Sequence, residues 1–340
     1  MKNKLLAVSA IFGMVASASA VKINNNLSIN GFIDGSYNLT DNAGATADTQ
    51  GLGIDEVELN FELNVGNVSG AIHIDNNNER NYLTGITNAQ NSNFGAGDIN
   101  STDTVASGNA GSHNGLDIEQ AHFTYNINDA VSVTFGRYGS ALGFEREDPA
   151  GLYTYSRAYS GNFNLGNVDA AAVDGITIAY SGDSFSLAAS FEEAAGQNLE
   201  TEDLNLELSF SYTGIAGVNI GGGFFFDNAE DSAAEVDILN LHASKQVGKL
   251  LLAAEYIELS SDGGDNDAYL LLADYDFNDK LGVAVRFSQN EQGDDADYEK
   301  FTIAPNYAIT DSLGAILEYS DVDNNNADSE EYAVELTYTF

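Results

Sequence analysis

Glu331-Tyr-Ala-Val-Glu-Leu-Thr-Tyr-Thr-Phe340 decides the fold class. Tyr332, Val334, Leu336, Tyr338 and Phe340 fall on one side of a two-residue alternation. Ala333, Glu335, Thr337 and Thr339 fall on the other. A strand repeats every two residues, so the segment has one apolar, aromatic face and one small, polar face. The chain stops on Phe340, inside the strand, and a soluble sandwich rarely ends on an exposed aromatic.

The opposite end reads as a targeting segment. Met1-Lys-Asn-Lys4 is basic, 5–15 is a mostly apolar run, and Ala18-Ser19-Ala20 is a small-x-small cleavage pattern. Together they predict a signal peptide over 1–20 and a mature chain over 21–340. With no Cys, there is no disulfide framework and no lipid-attachment Cys. No later stretch has the roughly 18 apolar residues of a helical span.

Composition points to a sheet. Gly numbers 34, Pro only 2, Tyr 17 and Phe 18, a balance of tight turns and strand formers. The 12 basic residues face 52 acidic ones. Such a field repels nucleic acid and attracts cations, though high acidity also keeps a protein soluble in a salty habitat.

About sixteen alternating segments follow residue 26. The clearest sets Val57, Leu59, Phe61, Leu63 and Val65 against Glu56, Glu58, Asn60, Glu62 and Asn64. The connections alternate between short and long. Short ones include 66–67, 126–130, 182–183, 246–248 and 278–279. Long ones include 40–50, 76–115, 139–174, 194–201, 227–234, 262–266 and 321–329. Short turns on one rim and long polar loops on the other predict an all-β, transmembrane antiparallel up-and-down barrel of about 16 strands. Both chain ends then fall on the short-turn rim, and closure leaves no sheet edge. With no helices to cover so large a sheet, the apolar sides face lipid and the polar sides an aqueous lumen. Tyr37, Tyr125, Tyr212, Tyr275, Phe277, Tyr307, Tyr338 and Phe340 suit interfacial aromatic girdles.

These faces assign charge. Asp34, Glu56, Glu58, Glu62, Glu207, Asp274, Glu318 and Glu335 are predicted lumen-facing acids; Arg286 and Lys300 are predicted lumen-facing bases. Acidic linings favour cations, although some of these positions would be solvated wall far from any constriction. The loop over 139–174 concentrates both signs: Arg137 at its entry, then Glu145, Arg146, Glu147, Asp148 and Arg157. Opposed charges across an eyelet sort solutes; the plainer reading is that the arginines pin the loop by salt bridges. Tyr153, Tyr155, Tyr159 and Phe163 either pack this loop on the wall or form a stacking track for sugars.

Two resemblances accompany these residues. The C-terminal strand resembles that of Gram-negative outer-membrane proteins, in which the aromatic, here Phe340, serves as an insertion signal. The stretch Thr134-Phe-Gly-Arg-Tyr-Gly-Ser-Ala-Leu-Gly-Phe-Glu-Arg146, with Tyr155-Ser156-Arg157 after it, resembles the putative beta-barrel porin-2 family. Its Gly-basic-aromatic strand end, Gly-aromatic-Glu step and later Tyr-Ser-Arg carry the likeness; a Pro expected near 140–142 is missing. The resemblance implies an outer-membrane porin, a channel for small hydrophilic solutes and ions, with outer-membrane lipid around it. A homotrimer is compatible with this reading, and the sequence does not decide the oligomeric state. The long loop after the fifth strand resembles the constriction loop of general porins.

Other chemistry has weaker support. The acid-rich outer segments 227–235, 262–267, 294–297 and 321–331 offer oxygen ligands for loosely bound Ca²⁺ or Mg²⁺. His73, His113, His122 and His242 show no metal spacing, so no dedicated metal site is expected. Ser112-His113-Asn114 has hydrolase residue types without a rigid frame, so no enzyme is expected. The rival reading is a plugged barrel used for adhesion or envelope anchoring; it lacks an evident plug segment.

Overall fold

The computed structural model describes residues 20–44, 47–75, 117–145, 148–159, 172–193, 204–228, 236–261, 264–291, 297–324 and 328–340. The signal-peptide segment lies outside them except for Ala20. Among the described residues no helix is long and apolar enough to cross a membrane.

Seventeen strands form one antiparallel sheet: β1 (Val21–Lys22), β2 (Leu27–Asn42), β3 (Thr49–Val65), β4 (Val68–Asp75), β5 (Asp117–Asn126), β6 (Val131–Tyr138), β7 (Val173–Ser181), β8 (Phe185–Glu193), β9 (Leu204–Ile215), β10 (Val218–Phe226), β11 (Val236–Val247), β12 (Leu250–Ser261), β13 (Gly264–Asp276), β14 (Leu281–Glu291), β15 (Asp297–Ala308), β16 (Leu313–Asn324) and β17 (Ser329–Thr339). Each strand from β2 to β17 pairs with the next, and β17 returns to pair with β2. The barrel therefore closes on sixteen strands, as the alternation predicts.

The closing seam explains the C-terminal aromatic's setting. Thr339 stands opposite Phe32. Beyond it the Phe340 and Gly31 backbones exchange hydrogen bonds, each N–H donating to the other's carbonyl at 3.0 Å. A Cβ at Gly31 would meet the Glu58 carbonyl oxygen at 2.1 Å and the Phe340 ring at 3.0 Å. Glycine is needed there because β3 and the terminal ring both press on the position. Past Phe340 the two residues of β1 continue along the same edge, Val21 opposite Ile29 and Lys22 opposite Ser28.

Short turns gather on the rim that holds the chain ends. Gly66, Gly217 and Gly248 take φ of 64°, 71° and 61° there, where a side chain would be strained. Three predicted long connections shrink markedly: 40–50 to 43–48, 321–329 to 325–328 and 262–266 to 262–263. β12 runs to Ser261 and β13 begins at Gly264, so Asp265 and Asp267 lie in a strand rather than a loop. Cross-strand pairing at both positions outweighs their turn-like composition.

The faces follow the alternation over most of the barrel. Leu271, Leu336 and Leu241 present 58%, 48% and 43% of their surface outward, and Tyr37, Tyr125, Tyr212, Tyr275, Phe277, Tyr307 and Tyr338 are exposed on the same side. Glu58, Asn60 and Glu335 are buried inside. The prediction of a polar interior on every strand does not hold at β12 and β13. Ala253, Ile257 and Leu259 on β12, and Ala268, Leu270 and Leu272 on β13, point inward and are buried. Both faces of this sector are apolar, because its inner face is covered by protein rather than water.

Placing an arginine on the outward face of a central strand position costs about 2–4 kcal/mol at the bilayer midplane. Leu241→Arg in β11 should therefore lower the folded fraction in urea titrations from lipid vesicles. Ser244→Arg, on the inward face of the same strand, should fold like the parent. Equal losses would reverse the facing.

Candidate functional site

The interior apolar sector is covered by the segment joining β6 to β7. Leaving the wall at Tyr138, it turns into the lumen and follows the inner surface around the barrel. Ala141 packs against Ala179 of β7 and Ala188 of β8. Ser140 Oγ and the Ala141 N–H both donate to Glu207 of β9, at 2.5 and 2.9 Å. Leu142 comes so close to β10 that a Cβ on Gly223 would meet its Cδ2 at 2.9 Å. The Gly143 N–H donates to Asn240 Oδ1 of β11, and the Phe144 N–H to Glu255 Oε1 of β12, at 3.1 and 2.6 Å. Leu142, Ala158 and Tyr159 join the inward apolar residues of β12 and β13 in one buried cluster. A short 3-10 turn, Pro149–Gly151, follows.

The returning half is held by polar contacts from four strands. Tyr155 Oη lies 2.9 Å from Ser36 Oγ, and Asn38 Nδ2 donates to it at 2.9 Å, both from β2. The Ser156 N–H donates to Glu318 of β16 at 3.1 Å. Tyr159 Oη donates to Glu255 of β12 at 3.1 Å, and Ser288 Oγ of β14 donates to the Ala158 carbonyl. The described part of the segment is thus docked from β7 round to β2.

One wall residue organises the segment from within. Arg286 of β14 is fully buried. Its Nη1 lies 2.5 Å from Glu145 Oε1, 2.7 Å from Thr154 Oγ1 and 2.8 Å from the Ser156 carbonyl. Its Nη2 reaches Ser156 Oγ at 3.2 Å and the Arg157 carbonyl at 2.8 Å. A guanidinium offers five donors in a fixed plane, so one side chain can fasten both the outgoing and the returning limb. Glu145 also accepts from the Ala158 N–H at 2.8 Å, tying the two limbs to each other.

A closed sixteen-strand barrel with a segment folded against its inner wall is the architecture of a channel. Residues 26–337 match the family described as Putative beta-barrel porin-2, OmpL-like. The chain belongs to this family of outer-membrane porins. Solved structures share its fold. The outer membrane channel DcaP of Acinetobacter baumannii matches at 14% identity with a TM-score of 0.63, covering 95% of this chain and 100% of that one. The anion-selective porin from Comamonas acidovorans matches at 12% identity and TM-score 0.62, covering 92% and 99%. OmpT of Vibrio cholerae, in its trimer form, matches at 14% identity and TM-score 0.55, covering 93% and 100%. No curated protein matches the sequence significantly.

In this porin the charged residues anticipated in the loop scatter. Glu145 is in the docked loop, and Arg157 contributes its carbonyl to Arg286. Asp148 brings a carboxylate oxygen within 4.8 Å of those of Glu56 and Glu58 on β3. Arg146 and Glu147 lie outside the described residues. Arg137 does not face the lumen. Tyr138 points inward to Ser190, which puts Arg137 on the outer side with Phe135, near the rim, its Nε donating to the Glu119 carbonyl at 3.1 Å. The alternation of β6 overrides the attraction of the loop's charges.

The wall acids divide by role. Glu207 and Glu318 hold the loop, while Asp34, Glu56, Glu58 and Glu335 line the inner face of β2, β3 and β17. Thr337 Oγ1 donates to Asp34 at 3.3 Å. Glu62 stands beside His73 on β4, and Asp274 lies on the inner face of β13. Lys300 pairs with Glu331 at 2.6 Å. Of the acidic outer segments, 229–235, 262–263, 292–296 and 325–327 lie outside the described residues.

Glu255 and Asn240 were not anticipated. The signal for Glu255 is a lone acid on an inward face otherwise made of Ala253, Ile257 and Leu259. A charge there needs a partner, and the loop's N–H and the Tyr159 phenol provide it.

Two outcomes follow. Arg286→Ala leaves Glu145 buried without its partner, a loss of about 3–5 kcal/mol, and should expose 148–159 to limited proteolysis in an otherwise folded barrel. Protease resistance equal to the parent's would show that the other wall contacts suffice. The Tyr159 phenol is raised above its ordinary value of 10.0, first by burial and then by Glu255 and Glu145. Its folded-state pKa exceeds the unfolded one, so its contribution to docking is complete below about pH 10. It fades as pH rises towards the folded value. Tyr159→Phe should remove that alkaline phase from a pH series of the same proteolysis.

Proposed function

We propose that the barrel is a water-filled channel for passive diffusion of small hydrophilic solutes and that it prefers cations. The observation that carries the preference is the fate of the two wall bases. Arg286 and Lys300 are buried, at 0% and 2% exposure, in ion pairs with Glu145 and Glu331. Within the described residues neither adds a free positive charge to the lumen. Asp34, Glu56, Glu58, Glu62 and Glu335 share one sector of the inner wall. A whole chain with 52 acids and 12 bases extends that bias beyond the described wall. A lining of one sign concentrates counter-ions and depletes co-ions. The anion-selective relative shares only the fold at 12% identity, and its selectivity belongs to its own side chains.

A homotrimer, the form recorded for the Vibrio cholerae protein, is part of this reading, as is loose Ca²⁺ or Mg²⁺ binding at the acidic outer loops. The rival is a non-conducting structural barrel, and the extent of the docked loop gives it a specific ground.

Planar-bilayer recordings of the folded protein under a KCl gradient test both. A cation reversal potential should appear at low salt, where the Debye length is about 30 Å at 0.01 M, and weaken towards 1 M, where it is about 3 Å. An anion preference would overturn the assignment of charge. Silence from correctly folded protein would establish the structural barrel.

A further inference from the structure

Three neighbouring strands bring together metal-ligand side chains that are distant in sequence. Glu58 on β3, His73 on β4 and Glu119 on β5 each place one ligand atom within 4.8 Å of the others. Glu119 does not reach this patch by simple alternation. The β4–β5 register slips between His73, opposite Gln120, and Ile74, opposite Ile118, leaving Glu119 as an extra residue. Such a bulge re-aims a side chain. Ile118 keeps the outer face at 57% exposure, and Glu119 is buried at 7%.

The distances around His73 are informative. Its Nδ1 lies 3.4 Å from Glu58 Oε1, and its Nε2 lies 3.5 Å from Glu62 Oε1. Both exceed the roughly 2.7–3.2 Å of a good hydrogen bond. Two ligands each about 2.0–2.1 Å from a zinc ion at a tetrahedral angle stand about 3.3–3.4 Å apart. The Nδ1–Glu58 separation is therefore that of a coordination edge. His122 lies on the same inner face, opposite Ala71 and diagonal to His73.

We propose that Glu58, His73 and Glu119 form a binding site for a divalent transition-metal ion of the zinc class. One imidazole and two carboxylates suit zinc, and the nitrogen ligand discriminates against Mg²⁺ and Ca²⁺. Three protein ligands leave a fourth position for water or a solute from the lumen. The Glu62 carboxylate, 3.5 Å from Nε2, favours by its charge the tautomer that carries the proton on Nε2 and frees Nδ1 for the ion. Glu58 also belongs to the group with Glu56 and Asp148, so the ion sits where the docked loop meets β3. Histidines 49 positions apart show no motif in sequence; the barrel register makes them neighbours.

The test is calorimetric titration of ZnCl₂ into the folded full-length barrel in detergent, with heat-modifiable migration on gels to verify folding. One zinc ion per chain should bind, and His73→Gln and Glu119→Gln should each weaken it by at least about tenfold. His242→Gln, on β11, should leave it unchanged. Absence of binding to the folded parent, undiminished binding by His73→Gln, or displacement by equimolar Mg²⁺ would each overturn the site. Binding is read without any conductance, so the site and the channel reading stand or fall separately.

Discussion

Inside a bilayer no water is available to the backbone, and every N–H and C=O must find its partner within the chain. In this porin that constraint concentrates at one seam, where the Phe340 and Gly31 backbones bond to each other and β17 lies along β2. Much else follows from closing there. An even number of antiparallel strands brings both ends to one rim. Closure sets each strand's two faces in different solvents, lipid outside and the lumen inside. A slip of one residue would exchange the faces, so the apolar side chains enforce the register that the hydrogen bonds alone would allow to drift. β1 extends the same edge past the terminal residue.

Closure with sixteen strands creates a second problem. A barrel of that size is too wide for wall side chains to fill. The β6–β7 segment occupies part of the interior, and its backbone needs partners as much as the wall's does. It finds them in side chains: Glu207, Asn240, Glu255 and Glu318 accept its N–H groups, and Arg286 collects its carbonyls. The contact is also apolar along β12 and β13, where Leu142 and Tyr159 meet Ile257, Leu259, Leu270 and Leu272. Apolar burial gives this docking adhesion, and the directional polar contacts give it position.

Much of the architecture was legible because a two-residue period and a length contrast between connections are local signals. The sixteen barrel strands match the count of about sixteen alternating segments that the sequence shows after residue 26. The interior was less legible. Sequence tells that Glu207 faces inward, but not that Ser140 and Ala141 will cross the barrel to meet it. It assigns Ile257 to the apolar class without revealing that it faces inward. Arg137 shows the opposite error: nearness in sequence to a charged loop suggested a lumen role, and the strict alternation through Tyr138 sends it outward. The misplaced interior has a different origin. Which wall the loop covers is decided by contacts more than a hundred residues apart, such as Arg286 to Glu145, and no local pattern encodes them.

Two of the β-bulges, one between β2 and β3 and one between β4 and β5, add a feature that alternation cannot supply. At Asp34/Gly35 the β2–β3 register skips Asp55, and at His73/Ile74 the β4–β5 register skips Glu119. In each case the extra residue is a carboxylate, and Ile54 or Ile118 keeps the lipid face. Without the slips, Asp55 and Glu119 would fall on the lipid side, Ile54 and Ile118 on the inner side, and the inner wall would hold fewer acids. Gathering carboxylates in one low-dielectric sector is electrostatically unfavourable, since like charges raise one another's energy. The bulges nevertheless keep the lipid face apolar by turning these carboxylates to the lumen side of β3 and β5.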